Sequence, residues 1–165
     1  MKTASPKALS KTSAPSDTVP EASVERVDTS YLESLMGYNA RRAALCIIEL
    51  FMERMSIYDL RPVNFSMLVL ITHNPGITSR QLCSALGVLP PNLVGMINTF
   101  EKRTLIERRP HPSDGRAMGL HLTASGHRLM QDAEKTAAAL ELEATSRLSA
   151  FERKTLMRLL QRVYL

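Results

Sequence analysis

Between Thr78 and Arg103 the chain is punctuated so closely that one local arrangement fits: a short helix, a tight turn and a second helix. Thr78 stands three residues ahead of Gln81. At that spacing a threonine hydroxyl takes a free first-turn amide while the glutamine side chain reaches back to the cap. Leu82, Ala85 and Leu86 are expected on the inward face of the helix that follows, and Gly87 stands where a turn needs a positive φ. Pro90 and Pro91 open the second helix, where a missing N–H does no harm because first-turn amides lack intrahelical partners. Leu93, Ile97 and Phe100, with Met96 beside them, give that helix a buried stripe. Two helices and a turn within about 26 residues make a helix-turn-helix.

Downstream, "LIERR" and "MGLHLT" read as short strands, the second alternating Leu120 and Leu122 with Gly119 and His121. They bracket "PHPSDGR" as the legs of a hairpin, so the charged loop is a wing. Thr123 caps a long helix running to Leu148, and Phe151 to Tyr164 supply a last amphipathic one. Upstream, Leu32, Leu35, Met36, Ala43, Ile47, Leu50 and Phe51 recur at three and four residues, predicting one long amphipathic helix from Tyr31. Arg61-Pro62 ends that unit, since the residue before proline avoids the helical region. "VNFSMLVLITHN" is nearly all apolar, which leaves helix and strand both open, and Asn74-Pro75-Gly76 closes it as a turn. Residues 1–30 hold no aromatic and one leucine, too little to offset ordering entropy, and predict a disordered tail.

The remaining 135 residues suffice for one domain with a real core. Tryptophan is absent and aromatics total 5%, which favours helix over a β-sandwich. Cys46 and Cys83 make no disulfide framework, pointing to a reducing cytosol. The longest apolar candidate, "AALCIIELFMERM", is broken by Glu49, Glu53 and Arg54, and no apolar h-region follows the first lysines. The expectation is a cytoplasmic protein with no membrane partner. Net charge is +5, and its placement matters more than its size. From Thr78 to Met130 seven basic residues face three acidic ones, so that third of the chain carries most of the excess.

These motifs together resemble the MarR (multiple antibiotic resistance regulator) family of winged-helix transcription factors. The likeness rests on "ITSRQLCSALGV", "LIERRPHPSDGRA" and "LHLTASGHRLM", above all on Asp114-x-Arg116 ahead of Leu122-Thr123-x-x-Gly126. It implies a mainly α fold with a small β-hairpin: a winged helix-turn-helix with N- and C-terminal dimerisation helices. The parts would be a tail (1–30), an N-terminal dimerisation helix (31–60), a DNA-binding lobe (61–122) and C-terminal dimerisation helices (123–165). It further implies a homodimer, acting as a repressor on a pseudo-palindromic operator and released by a small ligand. Asp114 would orient Arg116 into the DNA. The recognition helix departs from the family's charged pattern, holding Pro90, Pro91, Asn92 and Gly95, so base reading falls chiefly on Asn92, with Asn98 as a secondary candidate. Prolines there offer apolar contact to thymine methyls, and Gly95 allows close approach.

Thr78, Arg80 and Gln81 sit at a helix start, where backbone amides favour phosphate. Arg109 and His111 extend the basic wing, though a basic run is often only a solvated face. Tyr38, Asn39, Arg41, Arg42, Arg61 and His73 are placed near the seam between helices and lobe, with Ile47, Phe51, Met67 and Leu70 as an apolar wall. Arginines there suit an aromatic carboxylate or an acyl-CoA. A redox sensor acting through Cys46 is the alternative, weighed against its apolar neighbours, which suggest a buried and inert thiol. Neither metal-ligand spacing, nor a phosphate-cradling glycine loop, nor a nucleophile elbow is present, so no enzyme, metal or cofactor is expected. A winged helix used only for protein contact would lack the basic face.

Overall fold

A computed structural model describes residues 26–111 and 114–165, with the backbone alone at 111 and 114–116. The elements run α1 (Ser30–Glu33), α2 (Met36–Arg54), a 3-10 turn (Ser56–Tyr58), α3 (Pro62–His73), β1 (Ile77–Thr78), α4 (Ser79–Leu86) and α5 (Pro90–Lys102). They continue as β2 (Ile106–His111), β3 (Asp114–Leu122), α6 (Ala124–Ala144) and α7 (Ala150–Tyr164). One antiparallel sheet has the order β1-β3-β2, with Ile106 opposite Leu122, Arg108 opposite Leu120, and a register shift at Pro110/His111.

The single helix expected from Tyr31 is in fact two. Leu35 is extended (φ −93°, ψ 127°), and the break is capped by side chains: Ser34 Oγ donates to the Tyr31 carbonyl, and Asn39 Nδ2 to those of Glu33 and Leu35. Polar side chains that satisfy backbone carbonyls locally compete with a continuous helix. Helix already begins at Ser30, inside the expected tail, and the rest of that tail, residues 1–25, lies outside the described residues. The unit also ends before Arg61-Pro62, at Met55, through a 3-10 turn closed by Asp59 in the left-handed region (φ 53°). Pro62 instead starts α3.

α3 explains its own ambiguity. Met67, Leu68 and Ile71 are fully buried, with Phe65, Val69 and Leu70 packed half-buried around them, so the helix has little polar face to give a period. The core gathers Met55, Leu60, Leu82, Leu93, Ile97, Phe100, Leu120 and Met130 around it, and the Phe51 and Phe65 rings meet edge to face at 5.6 Å. Ala85 is exposed, not inward, since α4 turns Leu82 to the core. α6 packs along α2, tied to it by Arg54–Glu143 (2.7 Å) and to the 3-10 turn by Tyr58 Oη–Thr136 Oγ1 (2.9 Å), and ends at Ala144, one turn short of the expected Leu148.

The base of the hairpin is locked to the start of α6. The Thr104 carbonyl accepts from Thr123 Oγ1 (2.6 Å) and Ser125 Oγ (2.7 Å), and the Leu105 carbonyl from the Thr123 amide (3.0 Å). Gly126 lies so close that a Cβ would stand 2.0 Å from the Leu105 oxygen. α7 opens on a Ser149/Glu152 capping box, whose hydroxyl and amide hydrogen bonds hold the Glu152 carboxyl below its ordinary pKa. No residue of α7 is buried.

Candidate nucleic-acid interface

α4 and α5 meet at 115°, joined by the left-handed Gly87 (φ 63°), whose amide returns to the Cys83 carbonyl. The Thr78/Gln81 capping box forms in full: Thr78 Oγ1 accepts from the Gln81 amide, and Gln81 Oε1 accepts from the Thr78 amide at 2.9 Å. Half of the Gln81 amide is therefore occupied, and Arg80 is the one charged side chain at this helix start, exposed together with Ser79 and Gln81. Thr78→Ala should destabilise the lobe by about 1 kcal/mol, read as a lower urea midpoint at unchanged slope.

α5 buries Leu93, Ile97 and Phe100 and turns Pro90, Pro91, Asn92, Gly95 and Asn98 to solvent. Asn98 is less free than expected: its Oδ1 accepts from Arg108 (3.2 Å), which is itself bidentate to Glu101 (2.9 and 3.0 Å). Arg109 leans on Glu107 (Nε–Oε1 3.0 Å). Arg109, expected to meet DNA, and its neighbour Arg108 are thus each paired with one of the chain's own acids, in exposed contacts worth little. Arg103 turns away from the face altogether; it donates to the Tyr58 and Asp59 carbonyls and lies over the Phe100 ring. The side chains of His111, Asp114 and Arg116, expected at the wing, lie outside the described residues.

Leu89 and Val94 were not foreseen: 70% and 49% exposed, they flank the prolines on the outer face. The signal was available, since a stripe through Leu93, Ile97 and Phe100 places residue 94 well away from the core. Val94 and Pro90 line a groove of about 290 Å³ against Ser79, Arg80 and Cys83.

None of the six residues placed at the seam lines any of five clefts found among the described residues. Asn39 is spent on the α1–α2 break, His73 Nε2 pairs with Glu134 (3.0 Å), and Arg41, Arg42 and Arg61 are exposed while Tyr38 is half-buried. Of the apolar wall, Phe51 and Met67 belong to the core, Leu70 lines a cleft with Pro75 and Ile77, and Ile47 lines one between α6 and α7. Helix periodicity could not separate core from wall. That last cleft, about 500 Å³, adds Leu142, Leu156, Met157 and Leu160, with Arg153 at its edge. Cys46, expected to be buried, is exposed on α2 beside Leu45, while Cys83 is half-buried. Among the described residues no group of three potential ligands could hold a metal, and no single helix is long and apolar enough to cross a membrane.

A helix-turn-helix backed by a small antiparallel sheet, its hairpin beside the second helix, defines the winged-helix class of DNA-binding proteins. The MarR family model matches residues 60–118. A protein described as a transcriptional regulatory protein for the hcr operon of Thauera aromatica is 30% identical over 130 residues, 78% of each chain. The solved structure of the transcriptional repressor CouR bound to a 23-mer DNA duplex superposes with a TM-score of 0.80 at 33% identity, over 85% of this chain and 99% of that one. CouR bound to p-coumaroyl-CoA gives 0.74 at 31% identity, over 84% and 97%. The chain belongs to the MarR family of DNA-binding transcriptional regulators.

Proposed function

We propose that the protein is a repressor that binds a pseudo-palindromic operator as a homodimer and releases it on binding a small acidic effector, with an acyl-CoA of an aromatic acid favoured over the free carboxylate. The observation that carries this reading is the likeness, across nearly the whole of CouR, to both its DNA-bound and its p-coumaroyl-CoA-bound structures. In this reading α5 enters the major groove, Arg80 and the amides around Thr78 meet phosphate, and Arg109 exchanges Glu107 for phosphate. His111, with Arg116 steered by Asp114, reaches the backbone or minor groove. Two-fold association sets the recognition helices about 34–36 Å apart, one turn of duplex. Tyr38, Arg41, Arg42 and Arg61 supply the charge and hydrogen bonds for an anionic effector, and His73 lies on the joint between α3 and α6.

Selection of bound genomic fragments followed by a mobility shift tests the reading. Recovery of a palindrome, with affinity falling steeply in salt, supports it; equal binding to random duplex overturns it. A thermal-shift screen with aromatic acids, acyl-CoAs and peroxide tests the effector, and release by peroxide alone, abolished in Cys46→Ser, would replace it with a redox signal. Asn92→Ala should cost about 1–3 kcal/mol at one base pair per half-site and leave non-specific binding alone. A uniform loss across sequences would show that Asn92 holds phosphate instead.

A further inference from the structure

The outer face of α5 is chemically unusual for a surface meant to read base edges. Leu89, Pro90, Pro91 and Val94 form an exposed apolar ridge, and Asn92 is the one amide among them. No acidic residue occurs from Thr78 to Phe100, and Arg80 stands at the edge of the groove that Val94 and Pro90 line. The ridge is therefore apolar in the middle, cationic at its edge and free of groups that repel a polyanion. Gly95 completes it: a Cβ there would meet nothing within 4 Å, so the fold itself has no packing need for a residue that weakens a helix interior.

Resting on the repressor reading above, we infer that this face selects A·T pairs, with the ridge packed on thymine methyl groups and Asn92 paired to an adjacent adenine. In the major groove the thymine C5-methyl is the one apolar feature that base pairs present, and adenine N6/N7 is the partner an asparagine side chain fits. A ridge with four apolar contacts and one amide can recognise those two and carries no guanidinium of its own to grip guanine O6/N7, since Arg80 stands at its edge and Asn98 is held by Arg108. Gly95 lets the helix axis come close enough for short side chains to touch methyls.

The test uses the full-length protein and the operator recovered by fragment selection, with thymines replaced singly by deoxyuridine. Each methyl in contact with the ridge should lower affinity about fourfold when removed, as expected for one buried methyl-sized group. 5-Methylcytosine placed at a contacted position should recover part of a C·G substitution's loss. Val94→Ala should erase the thymine–uracil difference at one position per half-site while leaving the others intact, a coupling that general destabilisation does not produce. Gly95→Ala should raise the unfolding midpoint by roughly 2–4 °C and still weaken operator binding. Sequence-selective binding that is indifferent to uracil, or half-sites with G·C under α5, overturns this inference and leaves the repressor reading standing. Absence of any selective duplex binding overturns both.

Discussion

Gly126→Ala should lower the unfolding free energy by about 3 kcal/mol or more, the largest effect expected of any single methyl added to this chain. The added carbon would fall 2.0 Å from the Leu105 carbonyl oxygen and 3.0 Å from its carbon. Backbone on both sides would have to move, and neither side is free to do so. Leu105 is fixed by the Thr123 amide, while Thr104 before it is held at φ 55° with its carbonyl taken by two hydroxyls. A non-glycine residue in that region carries strain of about 1–3 kcal/mol and persists only where its surroundings dictate it. Urea unfolding measures the outcome. A variant within about 1 kcal/mol of the parent would show that hairpin and α6 slide past one another, and the joint would not be rigid.

Leu159→Asp combined with Val163→Asp should convert the proposed dimer to a monomer and weaken operator binding by about 10²–10⁴-fold, the avidity lost when two linked half-site contacts become one. Both residues lie on α7, one helical turn apart, and neither lines the cleft that α7 shares with α6. The helix carries Phe151 and Tyr164 at 79% and 73% exposure and buries nothing of its own, while Leu45, Ile48 and Met52 are exposed along α2. So large an apolar surface on one chain calls for a partner. Light scattering reports mass, and a mobility shift reports affinity. Persistence of the dimer would move the interface off α7.

The elements legible in advance were those fixed by local chemistry. The Thr78/Gln81 box, Gly87, the proline start of α5 and the Thr123 cap each announce themselves through one or two residues, and each stands where expected. Long-range packing was harder to read. α3 shows no period because it is surrounded, and the two-residue strand β1 is visible only through its pairing with Leu120 and Gly119 on β3. The break at Leu35 depends on which carbonyls Asn39 reaches, and an apolar pattern cannot express that. Counting basic residues also overstated the free charge, because Glu101 and Glu107 take two of the arginines and Arg103 serves the core.

Those internally matched arginines bear on how the protein spends its time in a cell. A genome offers about 10⁶–10⁹ competing sites, so a regulator is limited less by how tightly it grips its operator than by how loosely it holds everything else. In the proposed complex Arg109, and Arg108 beside it, would arrive at a duplex with a carboxylate already in hand and would exchange it before holding phosphate. On random sequence that exchange gains almost nothing, whereas on the operator it is one step in a concerted fit. In the proposed complex the carboxylates would act as a weak brake on casual contact, since exposed pairs of this kind are worth little. They would shorten each unproductive stop slightly and leave more of the search for sliding and hopping.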